Sequence, residues 1–178
     1  DYAEWIAIDS SDDVYIAGKT EGLLESGYQR NSDSSSDLIL IKADSTGDVK
    51  WQKQLGSSGS TWAFSIDTDS QNNIYLTGTT EGALTGTNLG SGDVFLIKYN
   101  QAGTHQWTRQ TGTTGNDAAY GITIDTSDNI YITGITEGAM GSMSHNGERD
   151  IFVIKWDASG DIGWTKQFGT SSDDYARG

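Results

Sequence analysis

Two stretches of this chain place hard oxygen atoms at alternate positions: Asp9, Ser11 and Asp13, and then Asp125, Ser127 and Asn129. Asp67, Asp69 and Gln71 form a third, looser version, which we read as lying in a turn two residues longer. Calcium needs several converging oxygens, and a 1-3-5 spacing is one way to begin such a site. The sharp-turn Gly and the bidentate Glu of an EF-hand loop are absent here. We therefore read these stretches as hairpin turns in which Asp accepts backbone N–H groups, and expect no cofactor. Calcium held by Asp9, Asp13, Asp67, Asp69, Asp125 and Asn129 is the disfavoured alternative.

Other chemistry is sparse. There is no Cys, and of the two His, His105 reads as lying in a tight turn and His145 on the opposite face of the fold. No nucleophile–base pair suggests itself, and no phosphate-binding or dinucleotide fingerprint occurs. We expect no enzymatic activity. Lys42, Lys98 and Lys155 end equivalent strands and emerge beside Asp9, Asp67 and Asp125, which suits a structural Lys–Asp ring. Specific recognition should lie where the repeats differ. The variable linkers and the joints between repeats gather Tyr28, Arg30, Asn31, Trp62, Asn88, Asn116, Asp117, Tyr120, His145, Asn146, Glu148 and Arg149 at one end of the fold. Aromatic rings beside amide and charged groups can stack on a sugar or clasp a protein loop.

The elements that must hold these residues form a repeat. The segment Asp150–Gly169, DIFVIKWDASGDIGWTKQFG, recurs at Asp37–Gly56 and Asp93–Gly112. Its skeleton is D-x-x-x-I-K-x-x-x-x-G-x-x-x-W-x-x-Q-x-G. Each repeat reads as four strands. A short apolar strand (Ile6–Asp9, Phe64–Asp67, Ile122–Asp125) leads through a tight polar turn to a second (Val14–Gly18, Ile74–Gly78, Ile130–Gly134). After a linker comes a strand apolar on both faces (Leu38–Ile41, Val94–Ile97, Ile151–Ile154), the mark of a strand covered on two sides. The last strand alternates, with Lys50, Gln52 and Gln54 assigned to an outer edge. Trp51, Trp107 and Trp164 read as wedges between units, and the recurring Thr-Glu-Gly at 20–22, 80–82 and 136–138 as turn chemistry.

Such units are blades of a β-propeller. The order I-D-x-S-x-N-I-Y-I-T-G followed by D-x-F-x-I-K-W-D-x-x-G-x-x-x-W-T-x-Q-x-G resembles the SBBP family of bacterial β-propeller repeats, and is more weakly similar to quinoprotein-type blades. Where the family usually has Gly in the first turn, this chain has Asp12, Asn72 and Asp128, which still tolerate a left-handed backbone. The resemblance implies a secreted or cell-surface bacterial protein and no defined activity.

The fold expected is all-β: three four-stranded antiparallel repeats of about 57 residues, approximately 1–60, 61–116 and 117–178, in one propeller segment. End blades would leave apolar faces open, at Leu38, Leu40, Phe152 and Ile154 or on the opposite sides of those strands. The segment is therefore expected to belong to a larger or oligomeric propeller, partnered by copies of itself or by flanking blades. A net charge of −14 with no basic cluster argues against nucleic acid, and no apolar run is long enough for membrane insertion. The leading expectation is a non-catalytic extracellular module for assembly, adhesion or protein interaction. A lectin-like or calcium-dependent ligand binder is the alternative, and a glycosidase comes third.

Overall fold

Each repeat folds into one antiparallel sheet whose four strands pair in sequence order, in a computed structural model that describes residues 1–24 and 35–177. The first blade contains β1 (Tyr2–Ile8), β2 (Val14–Thr20), β3 (Asp37–Ala43) and β4 (Val49–Leu55). The second contains β5 (Thr61–Thr68), β6 (Ile74–Thr80), β7 (Asp93–Tyr99) and β8 (His105–Thr111). The third contains β9 (Asp117–Ile124), β10 (Ile130–Thr136), β11 (Asp150–Trp156) and β12 (Ile162–Phe168). No helix occurs among the described residues, and so none that is long and apolar enough to cross a membrane.

The first strands start several residues earlier than alternation suggests, at Tyr2, Thr61 and Asp117. A bulge hides them. Register shifts between Ala3 and Trp5 and between Ala63 and Ser65, with the matching shift at Thr133/Gly134, leave Glu4, Phe64 and Tyr120 unpaired. One extra residue breaks the period of two on which strand recognition rests.

Asp9, Asp69 and Asp125 close the hairpins between first and second strands. Each takes a backbone N–H bond to itself from two and four residues on: Ser11 and Asp13, Gln71 and Asn73, Ser127 and Asn129. The left-handed position falls on Asp12, Asn72 and Asp128, with φ of 60°, 59° and 59°. This corrects the placement of Asp67. Thr68 occupies the place of Ile8 and Ile124, so Asp69 is the capping residue and the second turn is no longer than the others. Asp67 sits within β5 and accepts the Ile124 N–H of the next blade at 2.9 Å.

Burial alone would raise the pKa of Asp9 and Asp69, but their donors win. The N–H groups of Ser11 and Asp13, the Tyr15 hydroxyl and Lys42 hold Asp9 below the ordinary carboxylate range. The Asn73 side chain and N–H, the Gln71 N–H and the Tyr75 hydroxyl do so for Asp69. A carboxylate depressed in the fold contributes stability above its unfolded pKa of about 3.9 and loses it as pH falls. Asp69→Asn is therefore expected to lower Tm at pH 7, with the gap to the parent narrowing as pH falls below the ordinary carboxylate range, as followed by circular dichroism.

The recurring Gln of the fourth strand is not an edge residue. Gln54 is 6% exposed. Its side-chain N–H2 donates to Gly22 O and Asp37 Oδ2, while its Oε1 accepts the Leu24 N–H. Gln110 does the same with Gly82, Asp93 and Leu84, and Gln167 with Gly138, Asp150 and Met140. These clamps hold the start of each linker to the far edge of its own sheet.

Two apolar cores lie between the blades. Tyr15, Ala17, Leu38 and Leu40 meet Ile74, Leu76, Phe95 and Ile97 at one junction. Tyr75, Val94 and Leu96 meet Ile130, Ile132, Phe152 and Ile154 at the other. Leu38, Leu40, Phe152 and Ile154 are thus covered, and it is the opposite sides of the end blades that stand open. Ile6, Ile8 and Val49 on the first blade, and Trp164 and Phe168 on the third, are exposed.

Candidate functional site

The blade junction is built from two complementary halves. On the leading side, Trp51 and Trp107 rise from the fourth strand. On the receiving side, the glycine of the D-x-x-G or N-x-x-G turn comes against them with positive φ, Gly103 at 76° and Gly160 at 81°. A β-carbon at Gly103 would lie 3.0 Å from the Trp51 ring, and one at Gly160 would lie 3.2 Å from that of Trp107. The Trp51 indole N–H donates to Gln101 O at 3.3 Å, and Arg109 donates to Gly160 O at 2.8 Å. A second pair of halves lies beside the hairpins. Ser10 donates to Asn72 Oδ1 at 3.0 Å and Ser70 to Asp128 Oδ2 at 2.9 Å.

Trp51 and Trp107 are inter-blade wedges, half-buried rather than fully enclosed. Trp107 packs on Tyr75 at 5.9 Å between ring centroids and carries the Arg109 guanidinium at 5.0 Å. Trp107→Ala is expected to cost about 2–3 kcal/mol, below the ~3–5 kcal/mol of a fully buried tryptophan. Trp164 has no blade in front of it, so Trp164→Ala should cost under about 1 kcal/mol. Chemical denaturation at low protein concentration checks the contrast.

The lysines only partly form a ring with the hairpin carboxylates. Lys42 Nζ is 2.7 Å from Asp13 and 3.9 Å from Asp9, and Lys98 Nζ is 3.6 Å from Asp69 rather than paired with Asp67. Lys155 Nζ stands over the Tyr131 ring at 5.4 Å. Among the described residues, no three His, Cys, Asp or Glu side chains converge as a metal cluster.

The structure divides the residues expected to face a ligand. Tyr28, Arg30 and Asn31 lie outside the described residues. Asp117 is fully buried and structural: Oδ2 accepts the Thr113 N–H at 2.5 Å, and the Thr136 hydroxyl donates to Oδ1. Burial pushes its carboxyl upward, against these hydrogen bonds. Asn88 ties Gly90 O and Gln110, and the Asn116 carbonyl accepts the Glu137 N–H. Asn146 closes its linker by donating its N–H to Asp150 Oδ2. Trp62 is half-buried beneath the Lys19 ammonium at 5.3 Å, His145 is half-buried in its linker and Glu148 is exposed. Arg149 is held by Glu137 at 3.0 Å and donates to the Tyr175 hydroxyl at 2.7 Å.

Of these, Tyr120 alone lines the cleft where the inner strands of all three blades converge. The cleft has a volume of about 520 Å³ and is walled by Glu4, Trp5, Phe64, Tyr120, Tyr175 and Arg177. Glu4, Phe64 and Tyr120 are the bulge residues. Glu4 and Phe64 escaped the sequence reading because a bulge residue looks like an ordinary member of a strand, and Trp5, Tyr175 and Arg177 join them only through the packing of the blades. The available signal was Asp1-Tyr-Ala-Glu4 against Asp117-Ala-Ala-Tyr120 and Asp174-Tyr-Ala-Arg177, where flanking residues recur and the fourth changes.

Residues 50–84 and 106–139 both match the SBBP β-propeller repeat. These two stretches are SBBP-type repeats. Each match begins in the fourth strand of one blade and runs through the first two strands of the next. The SBBP sequence unit therefore straddles the blade junction and includes the tryptophan wedge and the bulge of the following blade. A WD repeat-containing protein of Acanthamoeba polyphaga mimivirus is 25% identical, over 75% of this chain and 12% of that protein's length. The chain thus spans a small part of that relative.

Proposed function

We propose that this SBBP segment is a non-catalytic interaction module of a secreted or cell-surface bacterial protein, working in assembly or adhesion through blade-to-blade contact. One observation carries this: the halves of the junction used at both internal interfaces recur unused at the two ends. Trp164 is 40% exposed on the leading side. On the receiving side Gly47 has a φ of 89° and nothing within 4 Å of its would-be β-carbon. Thr126 stands where Ser10 and Ser70 donate, and Asp12 stands where Asn72 and Asp128 accept.

Another blade of this kind fits both ends, and in the isolated chain a second copy supplies it. Six blades would then lie within the usual propeller range of about 4–8. Repeat proteins bury their faces only against neighbours, and exposed apolar sheet faces drive association. The SBBP match and the WD-repeat relative support an interaction role. The extracellular placement rests on the resemblance of the repeat alone. Hydrolysis of a glycoside is disfavoured because, among the described residues, Glu4 is the one carboxylate lining the inner cleft, and that chemistry ordinarily takes two.

Light scattering on the 178-residue chain is expected to show dimers, and Trp164→Glu to return them to monomers. A monodisperse parent monomer that unfolds cooperatively overturns the assembly reading. The hairpin carboxylates are committed to N–H donors, so EDTA should leave Tm unchanged. A fall of more than about 5 °C would revive calcium.

A further inference from the structure

In the inner cleft the fold repeats its geometry but leaves the chemistry free. In each first strand the bulge takes one residue out of the ladder, between an alanine that recurs (Ala3, Ala63, Ala119) and the resumed pairing. That residue is Glu4, Phe64 or Tyr120, and the same place after Asp174-Tyr-Ala is Arg177. All four line the cleft, joined by Trp5 and Tyr175. A position set by the backbone and different in every repeat is where recognition can vary without disturbing the blades.

We infer that this cleft binds a neutral saccharide. Phe64 and Tyr120 come from adjacent blades with ring centroids 5.2 Å apart and planes 32° from parallel. They form a shallow aromatic platform, the surface on which the C–H face of a pyranose packs. Trp5 and Tyr175 add two rings that are 44% and 51% exposed. Tyr175 is pinned, because its hydroxyl accepts from Arg149 at 2.7 Å and donates to Asp173 Oδ2 at 3.1 Å.

The polar groups decide the ligand class. Glu4 accepts hydrogen bonds and the Arg177 guanidinium only donates them, so together they match the mixed donors and acceptors of sugar hydroxyls. Their opposite charges offset, which removes the electrostatic preference that a cationic or anionic ligand would need. A volume of about 520 Å³ is within the range of small-ligand sites. This site goes beyond the assembly proposal and does not depend on it.

The test is saturation-transfer NMR and calorimetry on the whole chain. The neutral probes are maltotriose, cellotriose and N,N′,N″-triacetylchitotriose; choline and galacturonate serve as the cationic and anionic controls. At least one neutral probe is expected to bind saturably and more tightly than either control. Tyr120→Ala should weaken binding about tenfold or more. Glu4→Gln and Trp5→Ala alter exposed side chains, so they should fold normally and still weaken it, which covers the case that Tyr120→Ala does not fold. Absence of neutral-saccharide binding, tighter binding of choline or galacturonate, or affinity unchanged in both Glu4→Gln and Trp5→Ala overturns the inference. Light scattering on the same samples keeps the two proposals apart. Saccharide binding by a monomer overturns only the assembly reading, and a dimer without saccharide binding overturns only this one.

Discussion

Gly78→Ala is expected to abolish folding of the middle blade, and through it the cooperative unfolding of the whole segment. Gly78 faces the β5 bulge, where the backbone of Trp62 and Ala63 presses against β6. A β-carbon there would overlap the carbonyl oxygen of Trp62 and lie 2.9 Å from its carbonyl carbon and 3.0 Å from the Ala63 Cα. The obstacle is main chain on both sides, so no rotamer change relieves it. The bulge must straighten, which would shift the register of Thr61–Ala63 against Gly78–Thr80. A one-residue slip turns every side chain of a strand to the other face, here withdrawing Ala63 from the first junction core. The cost should exceed about 4 kcal/mol, the range reserved for overpacking and backbone incompatibility. Far-UV circular dichroism with urea titration measures it, and a loss below about 1 kcal/mol would mean that the bulge is not obligatory. Gly18 and Gly134 face equivalent carbonyl oxygens, of Tyr2 and Ala118. In both, the flanking blade is open on one side, so the middle glycine should be the most sensitive.

Gln110→Leu should produce the next largest loss, about 3–4 kcal/mol, despite placing an apolar side chain in a well-packed region. Gln110 gives Asp93 its side-chain donor at 2.8 Å, and its Oε1 receives the Leu84 N–H at 2.8 Å. Asp93 is fully buried. With Gln110 gone, the Asp93 carboxylate keeps the Leu89 N–H but loses this neighbour, and the Leu84 N–H loses its acceptor. Removing one partner of a buried polar network costs the desolvation of the groups left behind. The double variant Asp93→Asn with Gln110→Leu should recover part of the loss, because a neutral amide is cheaper to leave short of partners. A double-mutant cycle in urea separates this coupling from lost packing. Purely additive losses would show that Gln110 acts by shape alone.

The period of the repeat was legible in the chain because it is carried by residues whose roles are local. Asp and Gly in the turns, apolar runs in the third strand and Trp after the D-x-x-G turn recur at nearly constant spacing, and each recurs because the same backbone needs it. Asp12, Asn72 and Asp128 could be assigned to a left-handed turn because few side chains tolerate that conformation. The tryptophan could be assigned to a junction because a large ring repeated in every blade must be covered by the next.

The structure alone decided what depends on two segments meeting. Asp67 and Asp69 are both plausible caps in sequence, and only the pairing of β5 with β6 chooses Asp69. Gln54, Gln110 and Gln167 alternate with lysines and arginines as an exposed edge would, yet they turn inward because each linker folds back over its own sheet. The inner cleft was the least visible of all. It joins Glu4, Phe64, Tyr120 and Arg177, more than fifty positions apart; the repeat period relates their positions, but no shared residue type marks them. They share a location because a β-bulge recurs at the same place in each first strand and the first strands of neighbouring blades lie against one another. A repeated backbone is written in the residues it constrains, whereas a site made where that backbone constrains nothing exists only once the blades are packed together.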